Sequence, residues 1–271
     1  MEWRKLKNII LLILLGLNVA LALLIGGPAL SDSYRATQAD REAVAFLEQK
    51  GITVEEKSIP STEELLPKIV QRDREQEAQL ARQLLGEDVE QHAQGGEVYR
   101  YTGARGTVQF HSDGSFWASL APEAFPLNGN AREAALTVLE RLGFSGQVEQ
   151  EEEQRLTVCQ TWDGLPLFNQ QATVVWNETG VTDITAGRRL YGTPLVDNTR
   201  QTITLATALI DFYNGLNQMG DVCSRVDAIM PGYLSATALN RPMTLTPVWR
   251  VTTDTGAYQL DLVSGALDRV G

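Results

Sequence analysis

A chain of 271 residues with 43% apolar side chains is too apolar for a disordered polymer and long enough for one or two globular units. Its formal net charge is −11; Arg4, Lys5 and Lys7 against Glu2 give the first eight residues +2, which leaves −13 for the rest. A body so acidic excludes nucleic acid as a natural partner, because phosphate binding needs clustered Lys and Arg to release counterions.

From Ile9 to Ile25 the chain reads IILLILLGLNVALALLI, 17 residues with Asn18 as the one polar side chain. Continued to Leu30 as a helix at ~1.5 Å per residue, this run spans the ~30 Å hydrocarbon core. The basic Arg4, Lys5 and Lys7 precede it and Asp32 follows. The positive-inside rule then puts residues 1–8 in the cytoplasm, 9–30 in the membrane and the body outside, with Trp3 at the inner interface. A cleaved signal peptide is the rival, since Ala20 and Ala22 offer an A-x-A site. The apolar run continues through Leu23, Leu24 and Ile25, beyond the usual ~7–15-residue signal core, and favours an anchor. Gly16 and Ala20 stand four apart, which lets helix backbones approach closely, and Asn18 between them can hydrogen-bond across a helix pair. Gly16, Asn18 and Ala20 are therefore the candidate partner face; an Asn bonded to its own backbone and unremarkable small residues are the plain alternative.

Beyond the span, residues 37–50 carry Ala39, Ala43, Phe46 and Leu47 as a helical stripe, stopped by Gly51. ITVEEKSI at 52–59 reads as a strand ended by Pro60. Residues 62–85 read as a charged helix with Pro67 interrupting its start, and Arg72 to Glu77 as a solvated face. After Gly95 and Gly96 the period becomes two, with Ser112-Asp113-Gly114 as a hairpin turn. Asn130 to Leu142 is a helix capped by Asn130 and stopped by Gly143, followed by strands at VEQEEEQ, RLTVCQTW, PLFNQQATVVWN and VTDITAGRRLY. Thr202 to Leu216 is another helix, again followed by strands to the end of the chain. The expected architecture is α+β: a transmembrane helix, then an ectodomain of helix-plus-antiparallel-sheet units at 31–128, 129–200 and 201–271, the last two a duplication in pattern.

Chemistry is thinly represented. The two histidines, His92 and His111, have no second His at metal spacing, and the neighbours His111, Ser112 and Asp113 cannot line up as a triad within a turn. Glu149, Glu151, Glu152 and Glu153 alternate along a strand, so their carboxylates diverge rather than converge on calcium. Trp117, Trp162, Trp176 and Trp249 alternate with polar residues and read as sheet packing, a ligand groove being the alternative. Cys159 and Cys223 match no zinc pattern; pairing is open to them if the body is extracellular, and half-buried thiols acting as small apolar residues are the plain alternative. No enzyme, metal or cofactor is expected.

The opening Glu2-Trp3-Arg4-Lys5-Leu6-Lys7-Asn8-Ile9, running into a span with Leu17-Asn18, resembles the start of the YycI and YycH proteins of Gram-positive bacteria. Pro247-Val248-Trp249-Arg250-Val251, Gly256-Ala257-Tyr258-Gln259-Leu260-Asp261 and Ser264-Gly265-Ala266-Leu267 are similar to the strand-rich ending of YycI-type and PepSY-like domains. The resemblance implies a membrane-anchored extracellular domain that associates, largely through its transmembrane helix, with a WalK/YycG-like sensor histidine kinase of cell-wall homeostasis and with a YycH-like companion. It brings no catalytic residues. A PepSY-like binding or inhibitory module for a peptide or protease, and a passive envelope structural protein, are the other functions it leaves open.

Overall fold

In the computed structural model, residues 37–238 and 241–270 are described. The expected span at 9–30 lies outside them, and among the described residues no helix is long and apolar enough to cross a membrane.

Helix α1 covers 37–49 and buries Ala43 and Leu47 on the face its apolar stripe marks. Its end is closed from both sides of Gly51: Gly51 N–H bonds the Glu48 carbonyl at 3.0 Å and Ile52 N–H the Leu47 carbonyl at 2.9 Å. That pattern needs a left-handed residue between cap and exit, and Gly51 has φ +83°. The chain then departs from the expected strand over 52–59. Ile52 and Val54 are buried as period two demands, yet Thr53 makes only an isolated bridge to Arg225. Ser58 turns the chain away, its N–H and hydroxyl both donating to the Glu55 carbonyl (2.8 and 2.7 Å) and closing a 3-10 turn over Glu56–Ser58.

The helix expected over 62–85 is also corrected. Pro67 opens a short strand, β1 (Lys68–Val70), and α2 (Arg74–Leu85) starts only where the Asp73 carboxylate accepts from Gln76 N–H at 2.9 Å. Glu77, Leu80, Ala81, Leu84 and Leu85 form its buried stripe. Strand β2 (Glu90–Gly95) is exposed at every residue, so no apolar period announces it.

From α2 onward one arrangement is used three times: a helix, then four consecutive antiparallel strands. The first is α2 with β2, β3 (Val98–Gly103), β4 (Gly106–Phe110) and β5 (Ser115–Leu120). The second is α3 (Ala131–Arg141) with β6 (Gly146–Glu152), β7 (Arg155–Trp162), β8 (Leu165–Asn177) and β9 (Gly180–Arg188). The third is α4 (Leu205–Met219) with β11 (Val226–Ala236), β12 (Met243–Thr253), β13 (Gly256–Asp261) and β14 (Leu267–Val270). The pattern seen in the last two units therefore extends to the strands before 128.

Strand β5 pairs antiparallel with β9, which fuses the first two units into one eight-stranded order, β2-β3-β4-β5-β9-β8-β7-β6. The third unit joins differently. On one edge of the 13-residue β8, β9 takes the second half and β11 meets the first half in parallel, Tyr233 opposite Leu167. A Cβ on Gly232 would lie 2.6 Å from the Pro166 carbonyl oxygen and from the Phe168 ring, so glycine permits this approach. Asn169 then acts as a substitute backbone: its amide donates to the Ser235 carbonyl (2.7 Å) and accepts from Ser235 N–H (2.8 Å). Strand β1 extends the sheet beyond β12, and β10 (Pro194–Val196) ends it.

Two apolar cores result. One lies beneath α2 and α3, with Phe110, Phe116 and Phe144 at its centre. The other gathers Leu47, Ile52, Val54, Leu65 and Val70 around α4 and β11–β13, where Phe212 meets Tyr258 edge-on. Residues 43–70, grouped by sequence with the strands up to 128, thus share a core with the carboxyl-terminal unit.

Candidate functional site

A concavity of about 1050 Å³ opens where three segments distant in sequence converge: the start of α1, the 59–67 loop, and residues 196–206 leading into α4. The last two are fixed by hydrogen bonds. Asp197 N–H donates to the Pro67 carbonyl at 2.8 Å, the Thr202 hydroxyl to the Leu65 carbonyl at 2.7 Å, and Ile203 N–H to the Leu262 carbonyl at 2.7 Å. Thr204 caps α4 through Thr207 N–H at 3.3 Å.

The charged walls are Asp40, Glu63, Asp197 and Arg200, three acids to one base. Asp197 accepts from the Thr199 hydroxyl (2.6 Å), Thr199 N–H (3.0 Å) and Arg200 Nε (2.8 Å). The Thr199 hydroxyl foremost, then Arg200, holds its carboxyl down at about 2. Arg200 also reaches the Thr246 hydroxyl at 3.3 Å, and its Nη2 is buried without a partner. Asp40 accepts from Ala206 N–H in the first turn of α4; burial raises its pKa, that bond opposes the rise and Glu63 adds to it. The α4 amino end is therefore already occupied by a carboxylate of the protein itself.

The rim is apolar. Leu66 is 41% exposed and Val196 42%, and beside them Leu195 is 59% exposed. The last two belong to β10, whose outer edge no strand covers among the described residues. An acidic trough beside an open strand edge suits an extended segment that brings apolar and basic side chains: main-chain bonds along the edge, pockets for alternate residues.

The residues singled out from sequence are elsewhere. Gly16, Asn18, Ala20, Trp3, Arg4, Lys5 and Lys7 lie outside the described residues. His92 is exposed on β2, 3.5 Å from Glu90, and His111 Nε2 pairs with Gln109 Nε2 at 2.9 Å. Asp113 serves the turn, accepting from Ser115 N–H (2.9 Å) and hydroxyl (2.6 Å), and the three neighbours form no relay. Glu149 accepts from Gln171, Glu151 pairs with Arg132 at 2.7 Å and Glu152 with Arg155 at 3.2 Å, so the acidic run is spent on separate partners. No group of three His, Cys, Asp or Glu among the described residues is placed to hold a metal ion.

Trp176 and Trp249 are buried as sheet packing requires. Trp162 and Trp117 are half-buried beneath cations, Lys68 Nζ 4.6 Å from one ring and Arg100 Cζ 5.6 Å from the other. Cys159 and Cys223 are both free thiols. Burial, with Glu149 next, pushes Cys159 to about 12, and burial with Asp254 pushes Cys223 to about 11, far from a reactive thiolate. Sequence reading missed the trough because its walls come from segments some 160 residues apart, none carrying a motif.

No protein-family model matches the chain, and no curated protein matches it. Among solved structures, an uncharacterized protein from Eubacterium rectale is 11% identical with a TM-score of 0.40, covering 76% of this chain and 85% of that one. The YpeB C-terminal domain of Bacillus megaterium is 13% identical with a TM-score of 0.38, covering 74% of this chain and 99% of its own. Likeness at this level assigns neither activity nor partner.

Proposed function

We propose that this protein is a membrane-tethered extracytoplasmic binding module that regulates a sensor histidine kinase of the WalK/YycG type by associating with it, through its transmembrane helix and through the acidic trough. The kinase class comes from the sequence resemblance. The observation that carries the module's place is the position of the trough: Thr37, Ala39 and Asp40 wall it, only seven to ten residues past the predicted end of the span at residue 30. Seven residues in any conformation reach at most ~25 Å. A trough held that near the bilayer meets the membrane-proximal segments of neighbouring proteins far more often than free solutes.

The mechanism is a population shift. A kinase with two signalling states is biased when a neighbour packs better against one of them, and a coupling of ~1–3 kcal/mol moves the equilibrium roughly 5–150-fold. Replacing Gly16 and Asn18 by Leu removes the close-packing face of the span; Leu195→Lys with Val196→Lys charges the open edge of β10 without touching either core. Each pair should reduce co-purification of the full-length protein with the kinase from membranes and alter kinase output, at unchanged thermal stability. If both variants retain wild-type association and output, the proposal fails. The trough's fit to an extended segment also favours the PepSY-like reading, in which a peptide or protease is held. Kinase association unchanged in both variants, with a peptide captured from solution by the wild type and not by the β10 variant, would select that one.

A further inference from the structure

Strand β10 ends the sheet, and the parity of its bonds to β1 decides which of its backbone groups stay open. In an antiparallel pair, alternate residues send both N–H and C=O to the partner, and the residues between send theirs the other way. Asp197 N–H donates to the Pro67 carbonyl at 2.8 Å and Asp73 N–H to the Tyr191 carbonyl at 2.7 Å. Leu195 stands opposite Ile69 in the same register. Tyr191, Leu195 and Asp197 therefore face β1, and Pro194 and Val196 face away. Pro194 agrees with this parity, because an edge strand accommodates proline where the missing N–H would point outward. Along its open edge β10 thus presents three groups: the Val196 N–H, the Val196 carbonyl and the Pro194 carbonyl. No turn or loop backbone takes them among the described residues.

Successive strand residues point to opposite faces, and paired residues on adjacent strands share a face. Val196 walls the trough and Leu195 does not. A residue paired with Val196 from outside therefore sends its side chain into the trough, and its two neighbours lie on the side of Leu195. Of the trough's charged groups, Asp197 and Arg200 cancel each other at 2.8 Å. Neither Asp40 nor Glu63 forms an ion pair among the described residues, and the one charge that acts on Asp40 is that of Glu63. Glu63 is exposed and Asp40 half-buried, so a ligand reaches both.

We propose that β10 takes up an extended segment of a partner protein, antiparallel, with a Lys or Arg opposite Val196 and an apolar residue on each side of it against Leu195. One residue then closes both Val196 bonds, and its side chain brings the cation that Asp40 and Glu63 lack. The residue two positions on donates its N–H to the Pro194 carbonyl. Three backbone bonds make a short contact, suited to a partner already held alongside. This rests on the trough being a docking site, as proposed above, and adds the register and the side chain that enters.

The test follows the fluorescence anisotropy of a dye-labelled, end-capped peptide, Thr-Thr-Val-Lys-Val-Thr-Thr, on full-length protein in mild detergent. It should bind saturably and about tenfold or more tighter than the same peptide with Glu in place of Lys. N-methylation of the Lys nitrogen, which faces Val196, should weaken it about tenfold, whereas N-methylation of the following Val, which faces away, should not. Val196→Pro removes only an outward N–H and should weaken the peptide about three- to tenfold at unchanged unfolding temperature. Glu63→Gln should narrow the preference for Lys over Glu about two- to fivefold. The proposal is overturned by the absence of saturable binding, by equal affinity for the Lys and Glu peptides, or by the reverse order of the two N-methyl peptides. Self-association of the protein through β10 in place of peptide binding overturns it too. Should Val196→Pro not fold, the N-methyl peptides decide alone, since they need only the wild-type protein. The kinase reading fails on co-purification and this one on the titration, so the two failures are told apart.

Discussion

Asp197 shows how a single carboxylate sets the shape of the trough's wall. Three donors converge on it, and each favours the ionised form, so the folded protein holds it at about 2 against an ordinary 3.8. A depressed carboxylate contributes stability that is complete above the unfolded value and is lost as pH falls through the folded one. The wild-type protein should therefore lead Asp197→Asn in unfolding temperature at pH 5 and above, and the gap should close between about pH 4 and pH 2. A gap independent of pH across that window would mean that shape, rather than charge, matters at this position. Arg200 shares the dependence, since Asp197 is its only acidic ion-pair partner among the described residues.

Elements differ in how plainly their residues announce them. Asn130 and Gly143 bracket α3 as read, because cap and stop are local chemistry: the Asn130 side chain accepts from Glu133 N–H at 3.1 Å and donates to the Glu133 carboxylate at 3.1 Å. The turn at Asp113-Gly114 was legible for the same reason. Strands β1 and β10, three residues each, are too short to show a period, and β2 has no buried face to create one. Pro67 carried the right signal, but the charges from Arg72 to Glu77 masked Asp73 as a cap, so a strand and a 12-residue helix merged into one reading. The β8–β11 contact left still less trace, since a glycine and an asparagine in strand-like sequence do not say what approaches them. Asn169→Ala strips the Ser235 backbone N–H and carbonyl of their Asn169 bonds and should cost about 1–3 kcal/mol, measured by denaturant unfolding. Gly232→Val should cost at least as much through overlap with Pro166 and Phe168. A loss under half a kcal/mol from both would show that the third unit is held by something other than this junction.

At the scale of the molecule, chain order and core membership part company. Helix α1 and residues 52–70 precede the first helix-and-meander unit, yet their apolar side chains sit with those of α4 and β11–β13, because β1 pairs with β12 and Thr53 bridges to Arg225. The segment that leaves the predicted span is thereby tied to the far end of the chain, and the trough lies at that tie. Any strain delivered through α1 reaches the second core first. Phe212→Ala, at a residue 3% exposed that packs edge-on against Tyr258, should cost about 3–5 kcal/mol. Opening is cooperative within a packed unit, so hydrogen exchange should quicken in 43–54 and 245–260 together, while 80–85 and 108–118 in the other core keep their wild-type protection. Uniform acceleration across all four segments would mean that the eight-stranded sheet and the third unit open as one body, and that a pull on α1 is felt everywhere at once rather than at the trough.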